Sequence, residues 1–145
     1  MGHRLFACLM LLFVPLTGMT AEPVSISHAW ARATAPGQEV GAAYMSLKSP
    51  VDTTLTAISS PAAESIEIHQ MSMNKGVMEM RMMESLPLPA GKVVDLAPGG
   101  FHLMLFDLKK PLEVGEALTI TLSLKDKAGN THAQKVRLPI RVSDD

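Results

Sequence analysis

Short segments in which apolar and polar residues alternate recur along this chain, and no stretch shows a sustained helical period. Gly, Pro, Asp and Ser separate the segments, as they do in strands joined by tight turns. The predicted strands are residues 24–32, 41–48, 53–59, 65–73, 77–86, 92–96, 99–108, 117–125 and 131–142. Eight or nine short strands at this spacing predict an all-β protein, an antiparallel Greek-key sandwich or barrel.

Alternation also assigns side chains to the two faces of two of these strands. In the fourth, His69 and Met71 lie two residues apart and therefore point to the same side, away from the apolar row; in the seventh, His102 and Met104 do the same. The predicted core rows of these strands are Ile66 and Ile68, and Phe101, Leu103 and Leu105. Each His-x-Met triplet thus presents an imidazole and a thioether from one side of a strand.

The segment between the two triplets is rich in methionine. Residues 74–76, Asn-Lys-Gly, read as a tight turn that joins the fourth and fifth strands into a hairpin. On the fifth strand Met78, Met80 and Met82 share one face, by the same alternation. Six of the chain's 11 methionines fall between Met71 and Met83. Side chains from three neighbouring strands can therefore reach one metal ion.

The N-terminal segment predicts that the protein is exported from the cytoplasm. Arg4 precedes an apolar run over residues 5–16, which is too short to span a membrane as an anchor, and small residues follow. This pattern predicts a signal peptide over residues 1–21. The chain's single cysteine, Cys8, lies in that segment. The remaining residues 22–145 are sufficient for one domain. A formal net charge of −1 argues against nucleic acid or an anionic membrane surface as a partner.

The donor atoms in the two triplets favour monovalent copper. Imidazole nitrogen and thioether sulfur are uncharged and soft enough to suit Cu(I) better than other common metals. Thioethers, unlike thiolates, need no deprotonation and cannot be lost to disulfides in an oxidising compartment. The sequence alone therefore indicates a copper protein.

The spacing of these residues resembles that of a known family. Ten residues separate His69 from Met80, 21 separate Met80 from His102, and one separates His102 from Met104. This pattern resembles the PCuAC-type periplasmic copper(I) chaperones, also described as the DUF461 domain. The likeness extends to segments 29–34, 41–45, 60–63, 86–91, 96–100 and 107–112.

The resemblance implies a cupredoxin-like β-sandwich in the periplasm that binds one Cu(I) per chain through His69, Met80, His102 and Met104. It also implies delivery of copper to the CuA centre of cytochrome oxidase, with oxidase subunit II or another copper chaperone as the acceptor. The expected form is a monomer. One departure is Gln70, where the family often has a glutamate, so that a negative charge near the metal is expected to be missing.

The other methionines and histidines fall into three groups. Met45, Met82 and Met83 are interpreted as packing residues, in the core or at the surface, because methionine usually fills gaps. Met71, Met73 and Met78 remain open between lining the site, shielding it and receiving copper during transfer. His28 and His132 have no ligand-like neighbours on their strands and are expected at the surface.

Several functional classes fail on composition. A blue-copper protein needs a thiolate and a thioredoxin-like reductase needs Cys-x-x-Cys, and neither exists downstream of the signal peptide. No hydrolase motif is present, so an enzyme is not expected. Three functions remain open: a metallochaperone, a copper-buffering or resistance protein that sequesters Cu(I), and a metal-free sandwich used in adhesion or assembly.

Overall fold

The computed structural model describes residues 23–143, and these residues form ten β-strands. The predicted signal peptide lies outside the described residues. The strands are β1 (Ser25–Arg32), β2 (Gly41–Lys48), β3 (Thr53–Ser59), β4 (Ala63–Asn74), β5 (Val77–Met83), β6 (Leu86–Leu88), β7 (Val93–Leu96), β8 (Phe101–Leu108), β9 (Ala117–Asp126) and β10 (Thr131–Arg141). Within the described part of the chain no helix is long and apolar enough to cross a bilayer.

The strands close into a barrel. The order β4-β8-β2-β1-β10-β9-β3 returns to β4, and β7 lies alongside β2 and β8 at one end. Neighbours that are distant in sequence, such as β4 beside β8, indicate the crossovers of a Greek key. The all-β prediction is confirmed. Its antiparallel character holds except for two short parallel pairings, β1 with β10 and β7 with β8.

One apolar cluster fills the barrel. The predicted core rows contribute as expected: Leu103 and Leu105 are fully buried, Ile68 is nearly so, and Phe101 and Ile66 pack against them. Leucines and isoleucines of β9 and β10 complete the interior, including Leu122 and Leu138. Barrel closure thus buries the inward row of each strand and leaves the outward row available for other uses.

The predicted fifth strand, 77–86, is wrong at its end, because the chain divides there into two strands. β5 stops at Met83 and pairs only with β4, whereas β6 crosses to pair with β3, where Leu88 lies opposite Thr53. Leu86 and Leu88 are buried in the barrel interior. As a result, β5 is left as an extra strand outside the closed ring, along the edge of β4.

Candidate metal centre

Three adjacent strands, β5, β4 and β8, carry a row of candidate ligands on the outward face of the sheet. His69 of β4 lies directly opposite His102 of β8 on one side and Met82 of β5 on the other. Residues directly opposite each other in antiparallel strands project to the same face. His102, His69 and Met82 therefore form one row across three strands.

The remaining candidates lie one step to either side of this row. Met104 is opposite Glu67, and Met80 is opposite Met71. Both pairs project to the same face as the histidines, since each is two residues along its strand. The structure thus brings the two predicted histidines into register. Met80 and Met104 flank them on opposite sides, whereas Met82 is directly across from His69.

The two imidazole rings are close enough to share an ion. Their centroids are 5.9 Å apart and their planes are inclined by 58°. With metal–nitrogen bonds of about 2 Å, two imidazoles on one metal have centroids at most about 6.5 Å apart. The separation of the rings is therefore within the range that one shared ion allows.

Each ring has a hydrogen bond that decides which nitrogen is free. His102 Nδ1 is 3.1 Å from the Gly100 carbonyl oxygen. Because a carbonyl can only accept, Nδ1 carries the proton and Nε2 keeps its lone pair. His69 Nε2 is 2.7 Å from Glu67 Oε2, and a carboxylate accepts that proton, which leaves the lone pair on Nδ1. Metal-binding histidines are held in this way, by a carboxylate or a backbone carbonyl on the other nitrogen.

The free nitrogen of His69 is a buried atom without a partner. Among the described residues, His69 Nδ1 is the buried side-chain polar atom that makes no hydrogen bond. The side chain is 12% exposed. A buried acceptor without a partner destabilises a fold by about 1–3 kcal/mol, and a bound metal ion would satisfy it. The donor chemistry and the burial of this atom both fit a metal.

Carboxylates and thiolates do not complete the site. Over residues 23–143 no three His, Cys, Asp or Glu side chains come together as a metal-binding group. Four methionines, Met71, Met80, Met82 and Met104, lie on the same face beside the histidine pair and offer thioether sulfur there.

Two residues beside the histidine pair, Met82 and Glu67, were not predicted to take part in the site. Met82 is 55% exposed and lies across from His69, so it is not a core residue, and of the two expected packing roles only the one at the surface remains for it. Met45 and Met83 do pack, the first fully buried and the second half-buried against the core. Glu67 was also missed, although its position two residues before His69 on the same face was a usable signal.

The expected effect of Gln70 needs correction. Gln70 lies between His69 and Met71 on β4, opposite Phe101 and Arg81, and therefore projects to the other face of the sheet. Its side chain is therefore not among those that lie beside the histidine pair on the outward face. The negative charge next to the rings comes from Glu67 instead.

The remaining histidines lie apart from this face. His28 is exposed at an irregularity in the pairing of β1 with β2. His132 Nε2 is 3.4 Å from Asp126 Oδ2. Both agree with the expectation of surface or near-surface positions.

Solved structures of PCuAC domains resemble the whole described barrel. The copper-bound PCuAC domain from PmoF2 is 25% identical, with a TM-score of 0.67 over 86% of this chain and 97% of that domain. The apo PCuAC domain from PmoF1 is 28% identical, with a TM-score of 0.66 over 86% and 98%. Cu(I)-bound DR1885 from Deinococcus radiodurans is 32% identical, with a TM-score of 0.61 over 86% and 83%.

Two sequence relatives are each 35% identical to this chain. "Putative lipoprotein Lxx21020" of Leifsonia xyli subsp. xyli matches 86% of this chain, and the match covers 73% of that protein. "Uncharacterized protein RP573" of Rickettsia prowazekii matches 63% of this chain and 48% of its own length. The family model "Putative lipoprotein LpqE-like" matches residues 24–140. The chain therefore belongs to the LpqE-like family, and its described barrel has the fold of the PCuAC domains.

Proposed function

We propose that this protein is an exported metallochaperone that binds Cu(I) at the histidine pair and passes it to an acceptor protein. The observation that carries the proposal is the buried, unpaired Nδ1 of His69, in a ring whose centroid is 5.9 Å from that of a second imidazole. Copper is the cargo in this role, and no covalent chemistry is required. The role is not enzymatic.

The proposed ligands are His69, Met80, His102 and Met104, with one Cu(I) per chain at this site. The two histidines supply nitrogen from neighbouring strands, and the two methionines supply soft sulfur from either side of them. Cu(I) is favoured over divalent metals because the ligands are neutral and partly sulfur. The likeness to copper-bound PCuAC domains supports the same ion.

Glu67 has two supporting roles in this proposal. Its carboxylate accepts a hydrogen bond from Nε2 of His69. This bond orients the ring and directs Nδ1 towards the metal. Its negative charge also balances the single positive charge of Cu(I), whereas a divalent ion would leave an excess positive charge. The site is thus selective by charge as well as by donor softness.

The proposed location is the periplasm and the proposed form a monomer. The proposed acceptor is a copper centre of cytochrome oxidase, the CuA site of subunit II, reached directly or through another copper chaperone. The resemblance to PCuAC-type chaperones and the export signal predicted over residues 1–21 support this assignment.

The test is an anaerobic Cu(I) titration against a competing chelator, followed by X-ray absorption at the first equivalent. We expect a tight first equivalent with both nitrogen and sulfur neighbours. His102→Ala should weaken it by at least about 100-fold, more than the loss of a supporting partner does. Met83→Leu is the control, because Met83 packs against the core, and it should have no effect. A first equivalent without nitrogen neighbours would refute the proposed site.

A further inference from the structure

The outer half of the β4–β5 hairpin has one face made of methionine. Met71 is opposite Met80, and Met73 is opposite Met78. Because residues two apart on a strand share a face, these four side chains form a two-by-two grid. The other face of the same hairpin is polar, with Gln70 and Ser72 on β4 and Arg81 and Glu79 on β5.

This grid lies beyond the histidine pair. The pairing of β4 with β8 ends at Gln70 and Phe101, and past that point β4 has β5 as its strand partner. Met73 and Met78 therefore occupy the outer end of a two-stranded ribbon. They are separated from the row of His69 and Met82 by the pair Met71 and Met80.

Burial argues against a packing role for the outer methionines. Met73 is 65% exposed and Met78 is 48% exposed. A methionine that fills a gap in a core is buried, as Met45 is. Leucine or a β-branched residue would form a strand at these positions equally well, so neither packing nor strand formation explains the thioethers.

The grid has the dimensions of a metal site. Side chains of directly opposite residues have Cβ atoms about 4.5–5.5 Å apart, and those of diagonal neighbours about 7–8 Å. A methionine side chain has three rotatable bonds beyond its backbone, so three or four sulfurs in such a grid can meet at one point. Soft, neutral sulfur ligands without nitrogen or oxygen select Cu(I).

We propose that Met71, Met73 and Met78 form a second, weaker Cu(I) site on the hairpin, with Met80 shared between it and the histidine site. This inference rests on the proposed function, because it assigns the hairpin as the route by which copper enters or leaves the histidine pair. It also gives Met71, Met73 and Met78 the transfer role that the sequence left open.

Copper moves between the two sites by ligand exchange at constant oxidation state. The bond from Met80 to copper is kept throughout, while the bonds to Met71, Met73 and Met78 break and bonds to His69, His102 and Met104 form. No electron is transferred, because copper stays monovalent, and the thioethers have no proton to lose. The hairpin site binds less tightly because it has no imidazole and no carboxylate such as Glu67 beside it.

The test uses the exported protein with methionine methyl groups labelled for NMR, titrated with Cu(I) alone in the absence of oxygen. We expect two equivalents to bind. The first should shift the methyl signals of Met80 and Met104, and the second should shift the methyl signals of Met73 and Met78. X-ray absorption of the second equivalent should show sulfur neighbours alone.

Variants separate the two sites. The double variant Met73→Leu/Met78→Leu should lose the second equivalent and keep the first, whereas His102→Ala should lose the tight equivalent and keep the hairpin site. Met83→Leu is again the matched control.

One bound equivalent in the wild type, with unshifted Met73 and Met78 signals, would overturn the hairpin site and leave the histidine site standing. If the wild type binds the sulfur-only equivalent but no equivalent with nitrogen neighbours, the proposed function is refuted instead. The NMR readout on the wild type decides the matter even if the double variant fails to fold.

Discussion

At the scale of single residues, the most informative feature is the pairing of His69 with Glu67. The carboxylate holds one ring nitrogen at 2.7 Å, and the other nitrogen stays buried without a partner. This arrangement fixes the ring and its tautomer before any metal arrives. It is preorganised for binding, and part of its destabilisation of the metal-free fold is recovered when an ion binds.

Replacing Glu67 by Gln tests this support. The variant keeps the size of the side chain but loses the charge and the obligatory acceptor, so the His69 ring is no longer held in one tautomer. We expect Cu(I) affinity to fall by about 10–100-fold, the usual effect of losing such a partner. Chelator competition measures the affinity. Glu64→Gln, an exposed position on the same strand, is the control and should leave the affinity unchanged.

A second test at this scale distinguishes Met80 from Met82. The spacing pattern selects Met80, whereas the strand register places Met82 directly across from His69. Met80→Leu should weaken the tight site by at least about tenfold, a loss of roughly 1.4 kcal/mol, and Met82→Leu should weaken it less. Both residues are about half exposed, so neither change should destabilise the barrel. If Met82→Leu weakens binding more than Met80→Leu does, the sulfur ligand on β5 is Met82 and not Met80.

At the scale of elements, the turn between β4 and β5 determines which side chains meet. Lys75 and Gly76 both have positive φ, 49° and 78°, which identifies a two-residue type I′ turn. A two-residue loop makes Asn74 and Val77 opposite neighbours, and every later pair follows from that register. The register includes His69 with Met82 and both methionine pairs of the hairpin.

The turn is a weak point that can be tested. Asn at position 75 tolerates positive φ better than Lys, so Lys75→Asn should stabilise the hairpin by about 0.5–1 kcal/mol, whereas Lys75→Val should destabilise it by about 1–2 kcal/mol. Hydrogen exchange of the β5 amides measures this local stability. The barrel amides of β9 serve as an internal control and should be unaffected in both variants. Equal exchange in the two variants would mean that the turn does not hold the register.

The elements were largely predictable because their signals are local. Strands β1, β2 and β3 fall where alternation predicted them within a residue, and the core rows of β4 and β8 were correct. The error at residues 84–86 arose because β6 pairs with β3, a distant partner that alternation cannot reveal. The Glu67–His69 contact and the position of Met82 were, by contrast, within reach of local signals, because Glu67 lies two residues before His69 and Met82 belongs to the same hairpin. A two-residue turn at Lys75 and Gly76, read strictly from the sequence, would have given the hairpin register.

At the scale of the whole molecule, the barrel separates stability from metal binding. The inward rows form one apolar cluster, and the proposed ligands occupy the outward face on β5, β4 and β8. β5 lies outside the closed ring and adds one strand to its edge. Ligands can therefore be replaced with little effect on the core, and an acceptor protein can approach the exposed methionines without opening the fold.

This arrangement favours transfer over storage, and a transfer experiment separates the two functions. A protein that only buffers copper has no need of a ligand that an acceptor can reach, whereas the proposed ligand Met80 is 53% exposed. An acceptor's ligands can therefore bind the ion before this sulfur leaves. We expect the Cu(I)-loaded protein to metallate an apo CuA domain faster than Cu(I) is released to a small chelator of equal affinity. The double variant Met73→Leu/Met78→Leu should slow this transfer without changing the affinity of the histidine site.

In cells, deletion should lower oxidase activity under copper limitation, with copper tolerance unchanged. Transfer no faster than release, together with raised copper sensitivity on deletion, would identify the protein as a copper-sequestering one.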